Sequence, residues 1–162
     1  MTAKNGADRR RETVATSMVE LCSVRVDTAH YAVPISHILE IVGNAIPRTV
    51  PLAPGFVGGL VHYRGDVLTT VSLRQVLGMA PLGQAQDIIV LESRGGCFGL
   101  LVDSVGEVLT VPAASHEPNP STLDESRRVL FNGTYKLKDS LLVMLDPEQL
   151  DPMRLSSAQA TQ

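Results

Sequence analysis

The residues able to do chemistry are few in this chain, and they are scattered. Its four histidines, His30, His37, His62 and His116, stand in four unrelated local settings. None lies at the short spacing from a cysteine or second histidine that a metal site needs. Cys22 and Cys97 are the only cysteines. Each sits in an apolar, strand-like context, so both read as small inert hydrophobes and not as nucleophiles or a disulfide. Gly55-Phe-Val-Gly58-Gly59 has the look of a phosphate loop, yet it lacks the Lys-Ser/Thr pair and no long helix follows it. Asp103 and Asp146 each follow an apolar run and precede a turn or a proline, the setting in which Asp acts as a cap rather than as an acid or base. Arg64-Gly65-Asp66 and Asn132-Gly133-Thr134 spell an integrin-binding tripeptide and a glycosylation sequon, both meaningful only outside the cell. Nothing here supports catalysis, and the expected cofactors and metals are none.

One long side chain stands apart from this inventory. Residues 51–73 begin with two prolines, Pro51 and Pro54, pass a glycine pair, Gly58-Gly59, and end in a β-branched run. The prolines resist helix, and the glycines permit close backbone approach or positive φ. Residues 60–63 and 67–72 then read as two strands joined at a tight turn. Arg64 is thus a cation at a strand end, held by a stiff frame and free to meet another surface.

The flanking chain supplies that frame. Residues 20–27 alternate as a half-buried strand, with 30–33 returning as its partner. In residues 35–42, Ile35, Ile38, Leu39 and Val42 fall at i, i+3, i+4 and i+7, which predicts a short helix opened by Pro34 and stopped by Gly43. Residues 73–78 read as another short helical piece. The runs 88–91 and 98–102 are apolar without alternation and flank Gly95-Gly96, a hairpin whose strands are covered on both sides. Residues 103–106 read as a break, 107–111 as a strand and 112–121 as a loop. Residues 122–128 suggest a helical turn. Residues 129–137 and 141–145 are the last strands, turning at Lys138-Asp139-Ser140 in preference to Asn132-Gly133. Residues 147–150 make a closing helical turn. Nine or ten short strands without long crossover helices exclude an α/β sheet and leave antiparallel barrels or a sandwich.

Composition bounds the rest. With 162 residues, 44% apolar and only 4% aromatic content, the chain predicts one aliphatic core or two small lobes sharing one. A net charge of −3 gives no basic surface for nucleic acid. No apolar run reaches the roughly 18 residues of a membrane helix. Residues 1–17 are polar without the apolar segment of a secretory signal, so they read as a disordered tail on a cytoplasmic protein, with residues 151–162 as a second, flexible one. A protein of this kind works by its surface.

Several ordered pieces between residues 18 and 150 resemble the CheW family of chemotaxis coupling proteins. They are Ile38-Leu-Glu40-Ile41, Val50-Pro51 through Gly59-Leu-Val-His-Tyr-Arg64-Gly65, Gly99-Leu-Leu-Val-Asp103-Ser-Val105-Gly-Glu-Val108, and Leu142-Val-Met-Leu-Asp146. The resemblance implies a mainly β fold of two intertwined five-stranded SH3-like β-barrels sharing a hydrophobic core, with short helices, over residues 18–150. The first of these pieces would match the family's short helix. It implies no catalysis, and an adaptor that bridges the cytoplasmic tip of chemoreceptors and a CheA-type histidine kinase in receptor arrays at the inner face of the membrane. Carried over position by position, the partner-binding residues would be Ile38, Glu40, Gly59, Arg64, Gly65, Val105 and Val108. His62 and Tyr63 join them because they stand where the family has Asn-Leu, and specificity is expected at these and at two further departures, Thr69 and Ser72. Alternatives remain at several positions. Ile38, Val105 and Val108 could be core, Glu40 a solvated face, and Arg64 one half of a salt bridge tying the lobes together. At the level of the whole chain they are a paralogue serving a non-flagellar pathway, a competitor of the main coupler, and a small-molecule-binding β-barrel regulator, which would need a deep pocket that is not expected.

Overall fold

The computed structural model describes residues 17–160; the expected N-terminal tail lies outside these apart from Ser17. Eleven strands form two sheets. The chain begins in a terminal lobe with β1 (Met18–Val26) and β2 (Ala29–Pro34), crosses to a central lobe for β3 (Ile38–Ala45), β4 (Val57–Tyr63), β5 (Asp66–Ser72), β6 (Gln86–Ser93) and β7 (Gly96–Val102), and returns for β8 (Ser104–Pro112), β9 (His116–Glu117), β10 (Phe131–Lys136) and β11 (Leu141–Leu145). The orders are β8-β1-β2-β11-β10-β9 and β3-β6-β7-β5-β4. Each lobe is thus a five-stranded unit, the terminal one extended by the two-residue β9. Four short helices complete the fold: α1 (Leu73–Val76), α2 (Glu125–Arg128), α3 (Pro147–Leu150) and α4 (Pro152–Ala160).

The unbroken apolar runs have a direct explanation. Successive side chains of a strand point to opposite faces, and here both faces are covered. On β6, Ile89 and Leu91 enter a core shared by the two lobes, while Ile88 and Val90 enter a core private to the central lobe. On β2, Tyr31 and Val33 face the shared core and Ala32 the terminal lobe's private core. On β11, Leu145 faces the shared core, and Leu142 and Met144 the private one. The expected shared core is therefore real, and these strands are its walls.

Polar ties lock the lobes. The Asp103 carboxylate accepts from the Asp27 backbone N–H at 2.8 Å, from Arg74 Nη1 at 2.6 Å and from Gln86 Nε2 at 3.2 Å. Asp103 is a buried hub joining the β1–β2 turn to α1 and β6, and not the simple cap the sequence suggests. Asp146 is a cap, accepting from the Glu148 N–H at 3.1 Å.

Four expectations are corrected. Residues 35–42 are a 3₁₀ turn (Ile35–His37) leading into β3, not a helix; pairing with β6 and three β-branched residues outweigh an accidental helical stripe. The expected break at 103–106 is only Asp103 itself, because β8 starts at Ser104. Of the expected tail at 151–162, residues 151–160 are not bare chain. Buried Asp151 accepts from the Met153 N–H at 2.8 Å and from the Ser93 hydroxyl, and Pro152 starts α4, the N-terminal signature of a helix. Leu155 packs on the shared core. Finally, Cys97 is exposed while Cys22 is buried, and burial pushes the Cys22 thiol up.

Candidate partner-binding site

Arg64 and Gly65 are the two central residues of the β4–β5 hairpin, between the paired Tyr63 and Asp66. Their φ angles are 49° and 83°. A two-residue hairpin loop whose twist matches its strands needs positive φ at its centre. Gly65 meets that at no steric cost. For arginine the conformation is uncommon and disfavoured by about 1 kcal/mol or more. Asn or Gly would relax the turn, so Arg64 is a strained residue at its exposed tip.

That side chain is presented to solvent. Arg64 Nε lies 3.8 Å from Glu40 Oε2, with the two side chains 74% and 43% exposed. An ion pair this open is worth well under about 1 kcal/mol, so it orients Arg64 more than it stabilises the fold. Both residues belong to the central lobe, which removes the reading of Arg64 as a bridge between lobes. The pair does bring together the outermost strands of that sheet, β3 and the β4 end, as the sheet curls toward a barrel. The guanidinium carbon also sits 5.3 Å from the centroid of the Tyr63 ring, within cation–π range. Tyr63 is half-buried against the private core, and so serves as the platform for Arg64.

The remaining site residues divide by exposure. His62 is exposed and pairs across the hairpin with exposed Val67. On β3, an edge strand, Glu40 is flanked in sequence by exposed Leu39 and Ile41. Ile38 instead packs against the shared core. The two valines split: Val105 packs against that core, whereas Val108 is exposed on edge strand β8. Of the further departures, Ser72 is buried and accepts from the Gln75 N–H at 3.3 Å to cap α1, and Thr69 is half-buried. Specificity at Ser72 is therefore excluded by burial.

Gly59 is also buried, so it acts on the fold and not by touching a partner. Its φ is 125°, and an added Cβ would meet the Arg48 carbonyl oxygen at 2.6 Å and Pro47 Cβ at 2.8 Å. The 47–48 segment bridges to β4 through two Arg48–Leu60 backbone hydrogen bonds of 2.8 Å. Gly59→Ala combines backbone strain with a backbone clash and is expected to destabilise by about 2–3 kcal/mol, read as a shifted denaturation midpoint at unchanged slope.

The histidines are structural or solvated. His37 Nδ1 donates to the Glu92 carbonyl at 3.0 Å and His116 Nε2 to the Asn132 carbonyl at 2.8 Å. Among the described residues no group of three or more His, Cys, Asp or Glu could hold a metal ion, and no helix is long and apolar enough to cross a membrane. Sequence reasoning did miss one concavity, a groove of about 850 Å³ roofed by α4. Phe56, Val76, Met79, Val129, Leu130 and Leu155 supply its apolar lining, with Gln75, Gln149 and Arg154 among its polar groups. No sequence signal marks it, because its walls come from four separate segments and α4 lies in a stretch that reads as a tail.

Comparison with known proteins agrees with this architecture. The family model described as "CheW-like domain" matches residues 20–152. The chain is 30% identical to the chemotaxis protein CheW of Rhizobium meliloti, covering 82% of this chain and 87% of that protein. It is 29% identical to the probable chemotaxis protein CheW of Rhizobium etli, covering 81% and 86%, and 27% identical to protein FrzA of Myxococcus xanthus, covering 70% and 72%. In fold it is similar to the scaffolding protein TtCheW of Thermoanaerobacter tengcongensis, with a TM-score of 0.75 at 24% identity over 84% of this chain and 94% of that one. With its two lobes, shared core and Arg-Gly hairpin, the chain belongs to the family of CheW-like domains.

Proposed function

We propose that this chain is a non-enzymatic adaptor of chemosensory signalling, coupling the cytoplasmic tip of chemoreceptors to a CheA-type histidine kinase. The relatives named as chemotaxis proteins support the pathway. The observation that carries the mechanism is Arg64, exposed at a strained hairpin tip beside Glu40 and an apolar edge strand. Arginine and tyrosine are among the residues most enriched in interface hot spots. In this reading a partner docks over Glu40, His62 and Arg64, with Tyr63 and Gly65 fixing the arginine and Val108 adding a second contact on the terminal lobe. A single contact need not be tight, because a receptor array repeats it many times. Recruitment to such arrays places the adaptor beside the inner face of the membrane without inserting it.

The test is to mix the isolated protein with a receptor cytoplasmic fragment and with the kinase, separately and together. Binding to each, and a complex containing all three, supports the adaptor. Binding to the kinase with displacement of a known coupler points to a competing paralogue, and binding to neither removes the proposal. The apolar groove under α4 favours a second reading, a small-molecule-binding regulator. A long-chain amphiphile that raises the melting temperature in a saturable way would establish it.

A further inference from the structure

The exposed surfaces of β3 and β8 lie on different lobes, so a partner touching both depends on how the lobes' edges are set. One side chain reaches both edges. Asp87, in β6, accepts from the Val105 N–H at 2.9 Å through Oδ2 and from the Asn44 N–H at 3.2 Å through Oδ1. The first donor is in β8 of the terminal lobe and the second in β3 of the central lobe.

Each strand is irregular at that point. Val42 pairs with Ile88 and Ala45 with Gln86, so β3 carries an extra residue opposite Asp87. Asn44 has a φ of 59° there, the left-handed conformation that Asn tolerates better than most residues. On β8, Val108 pairs with Cys22 and Val105 with Val24, so the extra residue falls at 106–107. The Ser23 hydroxyl fills that gap by accepting from the Glu107 N–H at 2.9 Å. Bulges bend and twist the strand that holds them and re-aim its side chains. Among the described residues no backbone pairing joins β3 to β8; the Asp87 carboxylate does link them, with two charge-assisted bonds.

We infer that Asp87 is a positioning residue for partner binding, holding the edge strands of the two lobes at the mutual angle a spanning partner needs. This rests on the adaptor reading. Without the carboxylate, the half-buried Val105 N–H loses its acceptor and the Asn44 bulge is free to relax.

The test measures binding of the kinase to wild type, Asp87→Ala, Asp87→Asn, Arg64→Ala and Leu142→Ala, together with amide exchange. Asp87→Ala is expected to keep the fold, to speed exchange at Asn44 and Val105, and to weaken binding about tenfold or more. Asp87→Asn, which keeps one acceptor oxygen, recovers part of that loss. Leu142→Ala, in the terminal lobe's private core, lowers the melting temperature but leaves the affinity of the folded protein unchanged, so mere destabilisation is separated from positioning. If Asp87→Ala binds like wild type while Arg64→Ala does not, the inference fails and the adaptor reading stands. If wild type binds no kinase, both fall.

Discussion

Replacing Asp103 with alanine is expected to be among the most damaging single changes to this fold, costing about 3–5 kcal/mol and lowering the melting temperature by roughly 10 °C. The reason is what remains behind. Arg74 and Asp103 are 2.6 Å apart with side chains only 13% and 4% exposed. Removing the carboxylate leaves a nearly buried guanidinium without its counter-charge, and strands buried Gln86 Nε2 as well, while the exposed Asp27 N–H turns to water. Arg74 keeps only its bond to the Ala80 carbonyl at 3.0 Å. Replacing both Arg74 and Asp103 with apolar residues of similar size should cost much less than Asp103→Ala alone, because no unpaired charge is then buried. Thermal denaturation of the single and double variants checks this; equal losses would mean that the hub is not an ion pair in energetic terms.

Phe98→Ala tests the shared core. Phe98 is 1% exposed and packs among residues of both lobes, so truncation should cost about 3–5 kcal/mol. Cooperativity is the more telling outcome. If the lobes lean on one core, amide exchange monitored in β6 and in β11 should report the same reduced stability and a single transition. A variant in which β6 melts while β11 stays protected would show two independent lobes.

These cores were partly legible in advance. The unalternating run at 88–91 says that both faces of β6 are covered, and Ile88 with Val90 on one side and Ile89 with Leu91 on the other confirm it. The Arg64-Gly65 turn is readable from local turn chemistry, and the turn at Lys138-Asp139-Ser140 from the length of partner it leaves for residues 141–145; there the Leu137 N–H donates to the Ser140 carbonyl. The failures have physical causes. The spacing of apolar residues at 35–42 looks like a helix stripe only if they seek the core, and Leu39, Ile41 and Val42 are exposed. Helix α4 has weak amphipathic patterning, and the legible signal was the Asp151-Pro152 start. Asp103 and Asp87 look like local residues in the sequence, since their partners lie 17 to 76 positions away along the chain. The candidate site was read as a list, and exposure sorts it. Glu40, His62, Arg64 and Val108 face outward, Tyr63 and Gly65 support Arg64, and Ile38, Gly59 and Val105 belong to the fold.

We propose that Arg64 stands at a strained tip in order to meet a partner. Alanine is the right replacement, because it keeps a Cβ and hence the same backbone strain, so only the side chain's contacts are lost. The decisive measurement is receptor-controlled kinase activity in a reconstituted mixture of receptor fragment, kinase and adaptor, with wild type and Arg64→Ala compared at equal folded concentration. Arg64→Ala is expected to melt within a few degrees of wild type, to bind the kinase or the receptor fragment about tenfold or more weakly, and to lose control of the kinase. Undiminished coupling by a folded Arg64→Ala protein would contradict it.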